Sequence, residues 1–107
     1  MIIGIARARV FLQRQATTPD GGGGFTLTWI DVDRIWASLE PVRGGERLVA
    51  GGLESTISHR VRIRRRDDVT PSHRLVNDGR AFNVRAVLGA APGQRWLELL
   101  CEEGVAT

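Results

Sequence analysis

Apolar and polar positions alternate along much of this chain, and a period of two marks strands with one buried face. Thr56–Arg66 shows it most clearly: Ile57, His59, Val61 and Ile63 fall on one side, with Thr56, Ser58, Arg60, Arg62 and Arg64 on the other. Arg7–Gln15 predicts a first strand, in which Ala8, Val10 and Leu12 alternate with Arg7, Arg9 and Phe11. Phe25–Glu40 is too long for one flat strand, and its phase changes. Phe25, Leu27 and Trp29 share one frame; Ile35, Ala37 and Leu39 share another after "DVDR". A bulge or sharp bend at Asp31–Arg34 would let this strand serve two sides of a curved sheet. His73–Val76 predicts a short strand, and Phe82, Val84, Ala86 and Leu88 alternate along the next. Gln94–Glu102 predicts the last strand, apolar on both faces at Leu99–Leu100. Trp36 and Trp96 stand among apolar neighbours in their strands and are expected in the core.

The punctuation between these runs is turn chemistry. "NDG" at Asn77–Gly79 signals a tight hairpin, and "DDVTPS" and "GAAPG" are turn-favouring stretches. Thr17–Gly24 holds four consecutive glycines. A phosphate loop would lead into a helix N-terminus, but a β-favouring run follows here, so the segment reads as an exposed hairpin tip without a bound anion. Pro41 is expected to end its strand, and Arg43–Ser55 to form a mobile connecting loop. Within it, Glu46–Ala50 reads as a helical turn or two, bracketed by Gly44, Gly45, Gly51 and Gly52. Six strands with turns between them form an antiparallel barrel or sandwich. A length of 107 residues fits one domain over residues 1–107, with the long loop at about 43–55.

Composition narrows the chemistry. Cys101 is the single cysteine, and it stands far in sequence from His59 and His73, so no disulfide and no metal-ligand spacing is present. Asp31 and Asp33 form a D-x-D without a nearby third ligand. Asp67–Asp68 and Glu102–Glu103 are adjacent pairs whose side chains diverge, unlike a general acid/base couple. Ser55, Ser58 and His59 lack a nucleophile elbow or a positioned acid. The expectation is therefore no enzyme, with no catalytic, cofactor-binding or metal-binding residues and no cofactor. No apolar run approaches the ~20 residues of a membrane span, and the opening "MIIGIARARV" has its arginines after its short apolar run, unlike a signal peptide. The expectation is a protein of the cytoplasm without a membrane partner.

All 15 basic residues are arginine, for a net charge of +3. "HRVRIRRR" sets Arg60, Arg62 and Arg64 along one side of a strand, roughly 7 Å apart, as a positive stripe. Three surroundings suit such a stripe: solvent with cross-strand acids, DNA phosphates, or an acidic neighbouring subunit. The stripe has no aromatic residues interleaved along it, which argues against base stacking.

Several motifs in order resemble the head–tail joining proteins of siphophages, over about Arg9–Glu103. They are Trp36 followed by "ASLEP", "GGERLVAG" with Glu46 heading it, "STISHRVRIR", the "DGRAFNV" hairpin and the closing "LELLCEE". The resemblance implies a small antiparallel β-barrel of about six strands with a long loop carrying a short helical turn. It also implies a head-completion (stopper or adaptor) role: a ring, sixfold or twelvefold, that closes the DNA channel after packaging. A portal or adaptor ring would lie above it, a tail terminator or tail tube below, and packaged double-stranded DNA in the channel. The location implied is the virion, assembled in the bacterial cytoplasm, and the arginine-only character is compatible with a gene transfer agent. Arg43, Glu46, Arg47, Leu48, Leu53 and Glu54 become candidate partner contacts. Arg60, Arg62 and Arg64 become a stripe facing subunits or DNA. Because a DNA passage must let the duplex slide, the stripe is expected to face subunit neighbours or solvent, with Glu40, Glu46 or Glu54 as partners. Two other classes stay open: a stand-alone nucleic-acid-binding barrel, which would expose Trp29, Trp36 or Trp96 beside the arginines, and a tail-terminator ring subunit.

Overall fold

A computed structural model describes residues 6–50, 53–89 and 93–106. Six antiparallel strands follow one another: β1 (Ala6–Pro19), β2 (Phe25–Ala50), β3 (Leu53–Arg64), β4 (Arg74–Asn77), β5 (Arg80–Leu88) and β6 (Trp96–Val105). They close into a barrel in the order β1-β2-β3-β6-β5-β4, with β1 meeting β4 through Phe11–Gln13 against Arg74–Val76.

The alternation that predicts the strands also fills the barrel. Val10 and Leu12, Ala37 and Leu39, Val61 and Ile63, Leu75, Phe82 and Val84, and Leu97, Leu99 and Cys101 all point inward and are buried. Val69, from the connection between β3 and β4, joins this cluster and helps plug the barrel. Phe82 is the largest fully buried side chain, and its ring and that of His59 pack in a T-shaped pair with centroids 4.9 Å apart and planes at 81°. Burial pulls the His59 pKa below its usual value; Glu103 opposes that shift and Arg80 adds to it.

Strand β2 shapes the molecule. Its 26 residues would reach roughly 85 Å if extended at ~3.3 Å each, yet the longest dimension is 55 Å, so the strand must bend. The first irregularity is the expected one: Leu12 pairs with Asp33 and Gln13 with Asp31, leaving Val32 as the extra residue. The second lies where an end was expected. Pro41 pairs with His59, and pairing resumes at Glu46 with Ile57, so residues 42–45 bulge against Ser58. Gly44 and Gly45 sit there at φ of 76° and 73°, a left-handed backbone that disfavours other residues. Pro41 thus does not stop the strand; it stands at the edge of the bulge, one of the places in a sheet where proline is tolerated. The expected 43–55 loop with its helical turn is instead a β-ribbon, Glu46–Ala50 pairing with Leu53–Ile57, and no helix occurs among the described residues. A third irregularity, between Val84 and Ala86, changes the phase of β5, so Val87 packs against the core while Leu88 is exposed. At the β4–β5 turn, Asp78 and Gly79 both have positive φ (48° and 76°), the geometry of a type I′ hairpin.

Candidate functional site

Two ribbons extend past the barrel wall, both built on β2. Strand β1 pairs with β4 only through Gln13, so Arg14–Pro19 with Phe25–Ile30 is a two-stranded arm. Strand β3 pairs with β6 only from His59 onward, so Glu46–Ala50 with Leu53–Ile57 is a second two-stranded ribbon. They leave from opposite ends of the β2 segment that lies in the barrel.

In the second ribbon, Glu46 accepts two hydrogen bonds from Nη2 of Arg60, at 3.1 and 3.3 Å, across the glycine bulge. Arg47 pairs with Glu54 at 3.1 Å nearer the tip. Leu48 is half-buried and Arg43 is exposed in the bulge; Leu53 takes part in the ladder, opposite Ala50. The candidate residues Arg43, Glu46, Arg47, Leu48, Leu53 and Glu54 therefore do gather on one element. Exposed ion pairs of this kind each contribute about 0–1 kcal/mol, so they add little to the ribbon's stability.

The first arm turns at the glycine cluster. The Gly22 and Gly24 N–H groups donate to Asp20 Oδ1 at 2.8 and 3.0 Å, which holds its carboxyl below the usual aspartate range. The tip thus supplies its own anion. At the arm's base, Arg74 lies 4.1 Å over the Trp29 ring and donates to Gln13, which in turn donates to Asp31. Beyond this clamp, Phe25 and Leu27 are 70% and 64% exposed on one face of the arm.

The outer wall carries the site that the sequence pattern left unread. Trp36 and Trp96, expected in the core, are 50% and 48% exposed. Parity is the reason: Ala37, Leu39, Leu97 and Leu99 take the inward positions, so the tryptophans between or beside them point out. Arg9 pairs with Trp36 and Arg64 with Trp96, while the pairing of Ala37 with Ile63 sets Trp36 beside Arg64. The result is a row across four strands that reads Arg9, Trp36, Arg64, Trp96. Arg7 and Arg9 lie 5.0 and 5.4 Å from the Trp36 ring centre, within cation–π range. A cleft of about 420 Å³ opens here, between Ile35, the two tryptophans, Arg7, Arg64 and Arg65. Aromatic interleaving is therefore present, but across strands, where reading along "HRVRIRRR" does not find it.

The stripe itself divides. Arg60 is held by Glu46 and, at 3.7 Å, by Glu98. Arg62 and Arg64 have no carboxylate partner among the described residues, nor have Arg7, Arg9 and Arg65. Next to them, Arg66 bridges Asp33 at 2.6 Å and Asp68 at 2.9 Å. Its hydrogen bonds hold both carboxyls below their usual pKa and fasten the post-β3 turn to β2.

Among the described residues no group of three or more His, Cys, Asp and Glu is placed to hold a metal ion. Cys101 is buried, and burial pushes its thiol up to about 12, the state of an inert core residue and not of a nucleophile. Asp31 is occupied by Gln13, Asp33 by Arg66. Both groups answer structural needs.

Among curated proteins none matches this sequence. Among solved structures, a chain of the virion of a native gene transfer agent particle is similar, with a TM-score of 0.65 and 22% identity over 92% of this chain and 96% of that one. That likeness is one of fold. The family model of the phage head completion protein matches residues 1–104. Because that match spans nearly the whole sequence, the chain belongs to the phage head completion protein family, a structural class and not a class of enzymes.

Proposed function

We propose that this chain forms a ring at the head–tail junction of a phage or gene transfer agent particle, closing the DNA channel and presenting the surface on which the tail docks. The observation that carries this reading is β2, one strand that crosses the barrel wall and supplies a projecting ribbon at each end. A ring subunit needs a rigid body with separate elements for its neighbour and for the axial partners, because head-to-tail contacts use two different patches per copy. The Glu46–Ile57 ribbon, hinged at Gly44–Gly45, serves as the element that reaches into the channel or onto the adjoining ring; Arg43, Glu46, Arg47, Leu48, Leu53 and Glu54 are its contacts. Arg62 and Arg64 face neighbouring subunits. Packaged double-stranded DNA passes through the ring, with a portal or adaptor above and a tail terminator or tail tube below.

The exposure of Trp36 and Trp96 beside arginines favours a second reading, direct binding of nucleic acid by the outer wall. Two guanidinium groups already pack on Trp36, which leaves less ring face for a base. The ring reading accounts for the ribbons as well. Cells that make the particle but lack this chain are expected to yield DNA-filled heads without tails that lose their DNA, with tailing restored by supplying the chain in trans. Tailed particles at normal yield in its absence would overturn the proposal.

A further inference from the structure

The arm and the outer wall are two unsatisfied surfaces of one molecule. The arm exposes Phe25 and Leu27 with no third strand beside it, and a two-stranded ribbon alone is marginal in water. Asp20 at its tip and Asp31 at its base have hydrogen-bond donors but no cation partner among the described residues. The wall exposes Trp36 and Trp96 around an open cleft, with Arg7, Arg64 and Arg65 unmatched by carboxylates. Apolar surface and charge are thus complementary between the two. Tryptophan and arginine are also the side chains that most often carry interface energy.

We infer that the β1–β2 arm of one copy lies across the Arg–Trp wall of the next copy, Phe25 and Leu27 entering the cleft beside Trp36 and Trp96 and the arm's aspartates meeting the wall's arginines. The inference rests on the ring-forming reading and names the two patches that join. Reach permits it: six residues, Arg14–Pro19, give an arm of roughly 20 Å, against shorter molecular extents of 30 and 27 Å. Arm and cleft are different patches, so the contact repeats head to tail and closes only as a ring.

Cysteine cross-linking tests it, since the native Cys101 is buried and leaves introduced thiols as the reactive ones. Thr26→Cys lies on the arm's opposite, exposed face, and Gln94→Cys lies beside Trp96 at the wall. The purified full chain carrying both, treated with a short bismaleimide, should give a ladder of multimers. The two single variants mixed should stop at the heterodimer. Adding Leu27→Asp, at an exposed position that leaves the circular dichroism unchanged, should weaken self-association by roughly tenfold to a hundredfold and erase the ladder. Multimers by native mass spectrometry without a ladder would overturn the arm–wall contact and leave the ring standing. Neither multimers nor a ladder would count against both. Quenching of Trp36 and Trp96 fluorescence by single-stranded oligonucleotide, with no ladder, would make nucleic acid the wall's occupant and overturn the inference.

Discussion

Phe82→Ala should lower the stability of the isolated chain by about 3–5 kcal/mol, the cost of emptying an aromatic site in a closed core. Phe82 is fully buried on β5, in one cluster with Val84 of the same strand, Leu75 of β4 and Cys101 of β6. Six strands hydrogen-bonded in a closed circuit cannot shift independently, so the wall has little freedom to collapse into the void. The same substitution removes the T-shaped contact with His59. For a domain with a total of about 5–15 kcal/mol, the loss is a large fraction. At this size it corresponds to a fall in melting temperature of roughly 15 °C or more. Thermal and urea unfolding of the two proteins measure it, with Phe82→Leu as the milder comparison. A loss under about 1 kcal/mol would mean that Phe82 is not the centre of a packed barrel.

Excising the second ribbon should do the reverse, sparing the fold and removing the function. A deletion of Arg47–Thr56, with Glu46 joined to Ile57 through Asn-Gly, places a two-residue turn between residues that already pair. No β3–β6 pair is touched, because that ladder begins at His59. The core side chains of β2 and β3, Ala37, Leu39, Val61 and Ile63, also stay in place. The melting temperature should move by only a few degrees. Tailed particles should nonetheless fall to the level seen without the chain, because the element that reaches the channel and the axial partner is gone. If the shortened chain supports tailed particles at normal yield, the ribbon is not the closing or docking element.

Strands and inward residues were legible wherever alternation ran unbroken. Ile57, His59, Val61 and Ile63 are buried as their spacing indicates, and the phase change around Asp31–Arg34 marks a true bulge at Val32. What stayed hidden depended on pairing partners. Pro41 and the glycines at 44–45 read as a strand end and a loop because local preference says so. The structure keeps them in β2 because β3 resumes pairing beyond them. For Trp36 and Trp96, size and apolar company point to the core while parity points outward, and parity prevails. Each is out of phase with smaller residues that fit the narrow interior, and that signal was present in the alternation of Ala37, Leu39, Leu97 and Leu99. The Arg–Trp row is formed across four strands and so needs the register, which no single segment encodes.

The measurement that bears most directly on the central claim is a cryo-EM map of the assembled particle in which this chain is located. The account predicts a closed ring of its barrels between the head's portal or adaptor and the tail, with the Glu46–Ile57 ribbons directed to the channel or the adjoining ring and Arg62 and Arg64 against neighbouring subunits. A map with this chain elsewhere in the particle, or as isolated copies without ring contacts, would contradict it.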